Sequence, residues 1–195
     1  MNKIVLATRN KHKIEEIKTI LSDLHIEILT LNEFPEIPPL KEEGLTMRDN
    51  SLQKAQTVFR HTHVPTLADD SGLEVFFLNG RPGVISARYA GVGAGDEQNN
   101  QKLLGEMRGV PPRRRRAQFR AVLTLLGDNY SETTEGICEG SLAESPRGSN
   151  GFGYDPIFIP NGFHRTYAEL TAEEKNVISH RAKALAAMKE VLRRR

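Results

Sequence analysis

Two adjacent carboxylates, Asp69 and Asp70, follow the short apolar run at residues 67–68 and precede Ser71 and Gly72. An apolar run that ends in acids is typical of a buried strand that carries charge to a sheet edge, where α/β folds form clefts. Carboxylates at such an edge suit metal-dependent chemistry. The same residues also form ordinary turns, and on the local pattern alone a turn has about equal weight.

A basic loop follows the first predicted strand, residues 3–8, and leads into a predicted helix. Apolar residues at helical spacing from Ile14 to Leu21 indicate that helix. A loop entering a helix offers backbone N–H groups and the positive end of the helix dipole, so it favours phosphate. A solvated basic face is the alternative, with about twice the weight on these residues alone. The loop comprises Thr8, Arg9, Asn10, Lys11, His12 and Lys13.

A second helix is predicted after the proline-rich connection at residues 31–44. Thr46 and Asp49 have the spacing of a capping box that uses the shorter acid, which marks the helix start. Asn50 and Lys54 lie four residues apart, so they would lie one turn apart and could reach the same ligand. A solvated polar face is the more common explanation of such a pair.

A glycine-rich segment, residues 148–156, combines three glycines, two aromatic residues and an acid. Glycine lets the backbone approach a flat ligand closely, and Phe152 or Tyr154 could stack on such a ligand. A tight turn ahead of a predicted strand at residues 157–159 explains the local pattern about equally well.

Two bases near the carboxyl end, Lys175 and His180, are five residues apart, which places them far apart around one straight helix. Ser179 offers a break, since as an N-cap it would start a last helix at His180 and Arg181. That start would set both side chains beside a dipole end that favours anions. An exposed helix start bearing two bases has somewhat more weight on local grounds.

The remaining pattern predicts an α/β fold with a mixed sheet. Strands are expected at residues 26–29, 73–78 and 117–126, and the last turns into an antiparallel partner at residues 131–140. Asp96 is expected to cap a helix, and Thr171 with Glu174 forms a second capping box. With 195 residues the chain is long enough for one sizeable core, so residues 1–195 are expected to form a single domain.

Composition limits the partners and the compartment. Lys plus Arg total 27 against 25 for Asp plus Glu, and no aromatic residues interleave with the arginines at residues 113–116, so no nucleic-acid partner is expected. The single Cys138 rules out an intramolecular disulfide, which fits a reducing compartment. No apolar stretch reaches the length of about 18 residues that a membrane helix needs. We therefore expect a cytoplasmic protein with no membrane partner.

In their order and spacing these motifs resemble one family, the pyrophosphatases of non-standard purine nucleoside triphosphates (inosine triphosphatase or XTP/dITP diphosphatase, Ham1-like). The resemblance covers essentially the whole chain, and the motifs together are very specific. The first three are Thr8-x-Asn10-x-x-Lys13, Glu42-x-Gly44 and Asn50-x-x-x-Lys54-Ala55. The others are Ala68-Asp69-Asp70-Ser71-Gly72-Leu73, Ser86-Ala87-Arg88-Tyr89, Gly151-Phe152-Gly153-Tyr154-Asp155-Pro156 and Glu174-Lys175-x-x-x-Ser179-His180-Arg181.

The resemblance implies an α/β fold in which a long curved mixed β-sheet flanked by helices separates two lobes, with the nucleotide in the cleft between them. It also implies a homodimer. The implied reaction is hydrolysis of ITP, dITP or XTP to the monophosphate and pyrophosphate with Mg²⁺, which removes deaminated purines from the nucleotide pool. The family often has Gly where this chain has Arg9 and His12.

By resemblance, the site residues fall into three groups. Asn10, Lys13 and Lys54 hold the phosphates within the basic loop and the second helix. Glu42, with Glu43 as the alternative, and Asp69 or Asp70 bind Mg²⁺, and Asp70 is the general base. The other substrate contacts, among which Phe152 stacks on the purine, are Ser71, Phe152, Gly153, Tyr154, Asp155, Lys175, His180 and Arg181.

The choice of base is expected to depend on hydrogen-bond donors. Hypoxanthine and xanthine carry a 6-keto oxygen where adenine carries an amino group. Arg181 has only donors and His180 can donate, so either would favour the keto oxygen. Two alternatives remain open: a related pyrophosphatase that prefers dTTP or UTP and, with much less weight, a nucleic-acid-binding module at residues 113–116.

Overall fold

The computed structural model describes residues 2–195 and contains a mixed six-stranded sheet with helices. The strands are β1 (Lys3–Leu6), β2 (Glu27–Leu29), β3 (Thr66–Val75), β4 (Arg116–Gly127), β5 (Tyr130–Leu142) and β6 (Phe158–Pro160). The α-helices are α1 (Lys11–Leu21), α2 (Met47–Thr62), α3 (Asp96–Glu106), α4 (Ala172–Ile178) and α5 (His180–Arg193). The strand order is β2-β1-β3-β4-β5-β6. Since β1 is parallel to β2 and β3 while β5 and β6 are antiparallel, the predicted mixed α/β fold is confirmed.

The chain divides into two compact units. The first unit contains the chain up to Asp70, residues 121–136 and residues 181–195, and the second contains residues 71–120 and 137–180. Strands β3, β4 and β5 contribute residues to both. Each unit has its own hydrophobic core.

In the first unit, helices pack on both faces of the sheet. Successive side chains of a strand point to opposite faces. Ile4 and Leu6 of β1 accordingly pack in a cluster with α1 and α5, whereas Val5 packs in a cluster with α2. A strand that is buried on both faces needs an unbroken apolar run, which the sequence supplies at residues 4–7.

Parallel pairing between β1 and β3 positions the basic loop. Leu6 of β1 lies opposite Leu67 of β3, and the N–H of Ala7 donates to the carbonyl of Leu67 over 2.9 Å. Because Asp69 lies two residues beyond Leu67, the chain that leaves β1 emerges beside the acids of β3. The loop at residues 8–13 therefore begins next to the carboxylates.

The core of the second unit combines aliphatic residues of β3 and α3 with an aromatic group. Leu73 and Leu103 are completely buried in this cluster. The rings of Phe119, Phe158 and Tyr167 lie with their centroids 4.8 to 5.7 Å apart. Ring contacts at these distances add stability beyond the area that they bury.

Strand β3 differs from the prediction at the acids. It runs from Thr66 to Val75 without interruption, so Asp69 and Asp70 lie within a strand. The expected strand end at the acids is wrong, and so is the alternative turn. A buried backbone must keep its hydrogen bonds, and β3 lies between β1 and β4 in the sheet, so the ladder continues through the acidic pair.

The predicted starts of α2 and α4, and the predicted break before α5, are confirmed. Thr46 and Asp49 form a capping box at the start of α2, and Thr171 and Glu174 form another at the start of α4. Helix α4 ends at Ile178 and α5 begins at His180, with Ser179 in extended conformation between them. The break that separates Lys175 from His180 therefore exists.

Helix α3 begins one residue earlier than predicted, because Gly95 is the N-cap and Asp96 is the first helical residue. The N–H of Gly95 donates to Oε1 of Gln98 over 2.9 Å. This bond replaces the cap expected from Asp96, whose carboxylate is engaged elsewhere. Across residues 2–195, none of the helices has the length and apolar character needed to span a membrane.

Candidate active site

The two acids of β3 belong to different ion-pair networks. Adjacent side chains of a strand point to opposite faces of the sheet. Asp69 contacts Lys13 and Arg181, whereas Asp70 contacts Lys54. Because the two acids are adjacent in a strand, their carboxylates lie on opposite faces of the sheet and do not form a pair.

Asp69 is held by two cations from distant parts of the chain. Lys13 Nζ donates to Asp69 Oδ1 over 2.5 Å, and Arg181 Nε donates to Oδ2 over 2.8 Å. Arg181 also donates from a terminal nitrogen to Glu16. Burial alone would raise the pKa of Asp69, but the charges of Arg181 and Lys13 outweigh burial and lower it. Asp69 is therefore a buried, ionised carboxylate.

Helix α1 brings Lys13 and Glu16 to this network. The side-chain oxygen of Asn10 caps the helix by accepting from the N–H of Lys13 over 3.2 Å. Lys13 and Glu16 are three residues apart and therefore neighbours on one helix surface. Lys13 keeps 14% of its side chain exposed, and burial lowers its pKa despite the charge of Asp69. Lys13 and Glu16, each with 14% of the side chain exposed, are the more exposed members of this network.

Asp70 shares a lysine with Glu42. Lys54 Nζ donates to Asp70 Oδ1 over 2.7 Å and to Glu42 Oε1 over 2.8 Å. The same nitrogen donates to the backbone carbonyl of Asp69 over 2.7 Å, so all three ammonium donors are used. Asn50 Nδ2 donates to the other oxygen of Asp70 over 3.2 Å. Helix α2 thus brings Asn50 and Lys54 to one carboxylate.

Asn50 also fixes the loop that carries Glu42. Its Oδ1 accepts from the N–H of Gly44 over 2.8 Å. A Cβ at position 44 would lie 2.6 Å from Cβ of Asp49, so this close approach requires glycine. Glu43, the alternative to Glu42, lies 3.5 Å from exposed Lys41. The register of the loop therefore favours Glu42 as the acid of the site.

The pKa directions distinguish the three carboxylates. Burial raises the pKa of Asp70, and Lys54 opposes this only in part. Burial also acts upward on Glu42, but the charge and hydrogen bond of Lys54, with smaller contributions from Lys13 and Asp70, together outweigh it and lower the pKa. Burial lowers the pKa of Lys54 less than Asp70 and Glu42 raise it, so the net shift is upward. Asp70 is thus the acid of this site with a raised pKa, which suits a group that accepts a proton.

Glu42 and Asp70 are the best donor set for a divalent cation. One oxygen of each lies within 2.8 Å of the same atom, Lys54 Nζ. Between Asn2 and Arg195, no three His, Cys, Asp or Glu side chains are grouped to hold a metal ion. Mg²⁺ commonly binds one or two carboxylates together with water and substrate phosphate, and this pair fits that mode. Asp69 fits less well, because both of its oxygens accept from cations.

Residues 8–13 divide between structural and exposed positions. The N–H of Asn10 donates to Thr8 Oγ1 over 3.1 Å. Arg9 points to the proline-rich connection, where its terminal nitrogens donate to two backbone carbonyls over 2.9 and 3.3 Å. Lys11 and His12 are exposed in the first turn of α1. Arg9 therefore anchors the connection, a role that the sequence pattern does not indicate.

In the second unit, Phe152, Asp155 and Lys175 form one cluster. Lys175 Nζ donates to Asp155 Oδ2 over 2.6 Å, and the N–H of Phe152 donates to the same oxygen over 3.0 Å. The ammonium of Lys175 lies 4.8 Å from the ring centroid of Phe152. Asp155 and Lys175 are buried, whereas Phe152 is half-buried. A cation over a ring face is attractive, so the pair orients the ring.

Tyr154 and His180 lie in the core of the second unit. The hydroxyl of Tyr154 donates to the backbone carbonyl of Ser86 over 2.8 Å. The ring of His180 stacks on Phe119 with centroids 4.7 Å apart and an angle of 11°. Of the two aromatic residues considered for stacking on a ligand, Phe152 is the one with accessible surface.

Ser71 and Ser86 belong to motifs for which the structure gives local contacts. Ser71 directly follows the acids in β3 and is partly buried. Ser86 Oγ accepts from the N–H of Leu73 over 2.9 Å and donates to the carbonyl of Gly83 over 2.6 Å. The motif at residues 86–89 therefore ties β3 to the segment that follows it.

Arg181, expected to read the base, lies in the ion-pair network of Asp69. Its side chain is 1% exposed, and it donates to Asp69 and Glu16. A guanidinium enclosed by two carboxylates is not suited to reading a keto oxygen, so the structure favours a role in stabilising ionised Asp69. The sequence pattern does not reveal this pair, because the two residues are 112 positions apart.

The sequence analysis did not identify Glu16 in the Asp69 network, nor Asp96 and Asn100 beside Gly153. The position of Glu16 one turn after Lys13 on α1 could have indicated it, but its partner Arg181 is distant in sequence. Asp96 and Asn100 of α3 bind the backbone of Gly153 over 2.6 and 2.8 Å. No local pattern connects α3 with a loop more than 50 positions away.

Known proteins are similar to this sequence over nearly its whole length. The sequence model of the Ham1 family matches residues 4–191. A dITP/XTP pyrophosphatase of Geobacter sulfurreducens is 47% identical and covers 98% of this chain and 97% of its own length. A dITP/XTP pyrophosphatase of Shouchella clausii is 45% identical over 98% of this chain and 97% of its own.

Solved structures show the same fold. A HAM1 protein from Coxiella burnetii superposes with a TM-score of 0.91 at 42% identity, and the match covers all of both chains. The Ham1 protein of Staphylococcus aureus gives a TM-score of 0.88 at 37% identity, with 98% of each chain covered. Sequence and fold therefore identify the same group of relatives.

Proposed function

Because the chain belongs to the Ham1 family, we propose that it hydrolyses ITP, dITP and XTP to the nucleoside monophosphate and pyrophosphate. The observation that carries the proposal is the network in which Asp70 and Glu42 converge on Lys54. Relatives named dITP/XTP pyrophosphatase, which match nearly the whole chain, support the substrate class. The reaction would remove deaminated purines from the nucleotide pool.

The residues of the first unit would carry the chemistry. A triphosphate brings about four negative charges, so hydrolysis depends on charge neutralisation and an aligned water. We assign Asn10, Lys13 and Lys54 to the phosphates, where Lys54 would exchange one of its carboxylate bonds for a phosphate oxygen. We assign Asp70 to orient the water and accept its proton. The raised pKa of Asp70 supports that role.

Glu42 and Asp70 would hold Mg²⁺, with Asp69 less favoured as a ligand. When bound, Mg²⁺ supplies neutralisation of phosphate charge. Isothermal titration of Mg²⁺ into the protein with a non-hydrolysable ITP analogue tests the assignment. We expect Glu42→Gln to weaken binding, and Glu43→Gln to leave it unchanged. The reverse order would move the ligand to Glu43.

The residues of the second unit would bind the base. Phe152 offers a partly exposed ring for stacking, and Lys175, which has only donors, suits a 6-keto oxygen. Asp155 keeps Lys175 in place through the bond of 2.6 Å. In this assignment Tyr154 and His180 pack in the core beneath the residues that bind the base. Gly153 and Ser71 are assigned to the substrate site because they directly follow Phe152 and Asp70 in the chain.

A nucleotide panel with Mg²⁺ tests the proposed function. We expect ITP, dITP and XTP to be hydrolysed much faster than ATP, GTP, dTTP and UTP. Asp70→Asn should fold normally and lose activity by about 100- to 10,000-fold, since it removes the base. Asp128→Asn, at the exposed turn between β4 and β5, is the matched control and should keep full activity. Preference for dTTP or UTP would favour the related pyrophosphatase instead.

We propose a cytoplasmic homodimer, of which the dimer follows from the resemblance and the compartment from the composition. The single cysteine is consistent with a reducing compartment. Sedimentation at micromolar concentration should give twice the chain mass of 21.8 kDa. Fractionation of cells should recover the protein with cytoplasmic markers. A monomer, or recovery in a membrane fraction, would contradict these two statements.

A second candidate, binding of single-stranded nucleic acid, gains one observation. The guanidinium of Arg114 lies 4.6 Å from the ring centroid of Phe77, and that of Arg116 lies 5.3 Å from Phe76. Aromatic residues distant in sequence therefore accompany the arginines, although Arg115 is buried among backbone carbonyls. Salt-dependent binding of oligonucleotides that Arg114→Ala weakens would support this candidate.

A further inference from the structure

Helix α3 binds Gly153 at both polar groups of its backbone. The N–H of Gly153 donates to Asp96 Oδ2 over 2.6 Å, and its carbonyl accepts from Asn100 Nδ2 over 2.8 Å. Asp96 and Asn100 are four residues apart, so they lie one above the other on one face of the helix. The helix therefore fixes the two peptide units that flank the Gly153 Cα from two consecutive turns.

The bond to Gly153 is the hydrogen bond that the structure gives for the side chain of Asn100. Asn100 is 5% exposed, and its Oδ1 has no hydrogen-bond partner among residues 2–195. Burying an unsatisfied carbonyl is unfavourable, so an apolar residue would be more stable if packing alone mattered. The donation to the carbonyl of Gly153 is the contact that explains an amide at this position.

The helix itself is firmly anchored. Asn99 accepts from the N–H of Ala90 over 2.8 Å and donates to the carbonyl of Ala87 over 3.2 Å. Leu103 is completely buried in the core of the second unit. Because α3 is held against the core, its contacts keep Gly153 in a fixed position relative to the core.

Gly153 follows Phe152 directly, and it has a positive φ of 62°. Phe152 has its own backbone bond, from its N–H to Asp155. The peptide on the amino side of Phe152 is thus held by Asp155, while the residue on its carboxyl side is held by α3. The backbone is therefore fixed on both sides of the Cα from which the Phe152 ring extends.

We propose that Asp96 and Asn100 are positioning residues that set the place of the Phe152 ring and, through it, the choice of base. The proposal rests on the function proposed above, in which Phe152 stacks on the purine. In this role the two residues act through the backbone of Gly153 and not by binding the substrate. Their effect is on the geometry of stacking, because the base must lie on a fixed ring to present its 6-position to Lys175.

Kinetics with ITP and ATP test the proposal. We expect Asp96→Ala to lower the ITP-to-ATP ratio of kcat/KM by about tenfold, the equivalent of one hydrogen bond to a charged group. The loss should appear as a higher KM for ITP, with kcat within about twofold, because the phosphate residues are unaffected. Asp96→Asn keeps an acceptor oxygen and should recover most of the ratio. Asn100→Leu should resemble Asp96→Ala.

Glu97→Ala is the matched control. Glu97 is the next residue on α3, is exposed, and accepts from Gln101 over 3.1 Å within the helix. It should keep the wild-type ratio. If Glu97→Ala and Asp96→Ala change the ratio equally, or if kcat falls while the ratio is unchanged, the positioning role is wrong.

A fluorescent reporter separates this proposal from the proposed function. The chain has no tryptophan, so Phe152→Trp introduces a single indole at the position of interest. In that background, Asp96→Ala and Asn100→Leu should each increase acrylamide quenching and lower the anisotropy, and Glu97→Ala should not. Unchanged quenching in both variants would overturn the positioning role. A failure of the wild-type protein to hydrolyse ITP would instead overturn the proposed function, and the fluorescence result would stand by itself.

Discussion

The Nε of Arg181 donates to Oδ2 of Asp69 over 2.8 Å, and neither side chain is more than 1% exposed. Lys13 binds the other oxygen of the same carboxylate, and Glu16 binds the other side of the guanidinium. The four side chains form a buried chain of alternating charge in the first unit. Removing one member of a buried pair leaves an uncompensated charge, so each member is sensitive to substitution.

Arg181→Met should destabilise the protein without changing its choice of base. We expect the free energy of unfolding, measured by urea denaturation, to fall by about 3–5 kcal/mol, because Asp69 and Glu16 lose their shared cation. At a temperature where the variant is folded, kcat/KM for ITP and ATP should fall by the same factor. Arg195→Met is the control, since Arg195 pairs with exposed Glu132 and should contribute under about 1 kcal/mol.

A selective loss of ITP activity in Arg181→Met would restore the role of Arg181 in reading the base. In that case the ratio of kcat/KM for ITP to that for ATP would fall, while the free energy of unfolding changed little. Equal loss for the two nucleotides assigns Arg181 to the charge network instead.

Glu16→Gln should show that the network acts as a unit. Glu16 holds Arg181 from the side opposite Asp69, so its loss loosens the group that orients Asp69 and Lys13. In a double-mutant cycle with Arg181→Met, the coupling energy from urea unfolding should be about 0.5–3 kcal/mol. Additive effects would mean that the Glu16 contact contributes nothing through Arg181.

Gly44→Ala should reduce activity by displacing the loop that carries Glu42. The added methyl group would lie 2.8 Å from Oδ1 of Asn50 and closer still to Asp49, so either the loop or α2 must shift. We expect at least about a tenfold loss of kcat and a higher Mg²⁺ concentration for half-maximal activity, since misplacement by about 1 Å can cost 100-fold. Gly105→Ala, in α3, meets no atom within 4 Å and should be neutral or slightly stabilising. Full activity of Gly44→Ala would show that Glu42 needs no such anchoring.

Acid should remove the stability that Asp69 contributes. Its pKa in the folded protein lies below the ordinary value of 3.8, so near that pH the unfolded chain binds more protons than the folded one. The contribution is present above the ordinary value and is lost as the pH falls below it towards the lowered pKa. The difference in unfolding free energy between wild type and Asp69→Asn should therefore shrink from about pH 5 downward. A difference independent of pH would mean that Asp69 is not held ionised.

Local signals in the sequence predicted most of the fold. The apolar run at residues 4–7, the capping boxes at Thr46 and Thr171, and the break at Ser179 each depend on neighbours in the chain, and each is found in the structure. The acidic pair was misread, because the pattern of a strand end and the pattern of a turn ignore the sheet on both sides of β3. Tertiary pairing overrode the local signal.

The site was predictable in its residue types but not in its pairing. Asn50 and Lys54 could be placed on one helix face from their spacing, and both reach Asp70. Which cation meets which carboxylate depends on contacts across many positions, such as Lys13 with Asp69 and Arg181 with Glu16. The same limit explains the aromatic residues beside the arginines at 113–116, which come from residues 76 and 77.

Hydrolysis of ITP in water labelled with oxygen-18, followed by phosphorus NMR, tests the central claim most directly. We predict IMP and pyrophosphate as the only primary products, with the label in the phosphate of IMP, since Asp70 would direct water at the α-phosphorus. Label in pyrophosphate would mean attack at the β-phosphorus. Formation of IDP and orthophosphate, or no turnover of ITP, would contradict the account.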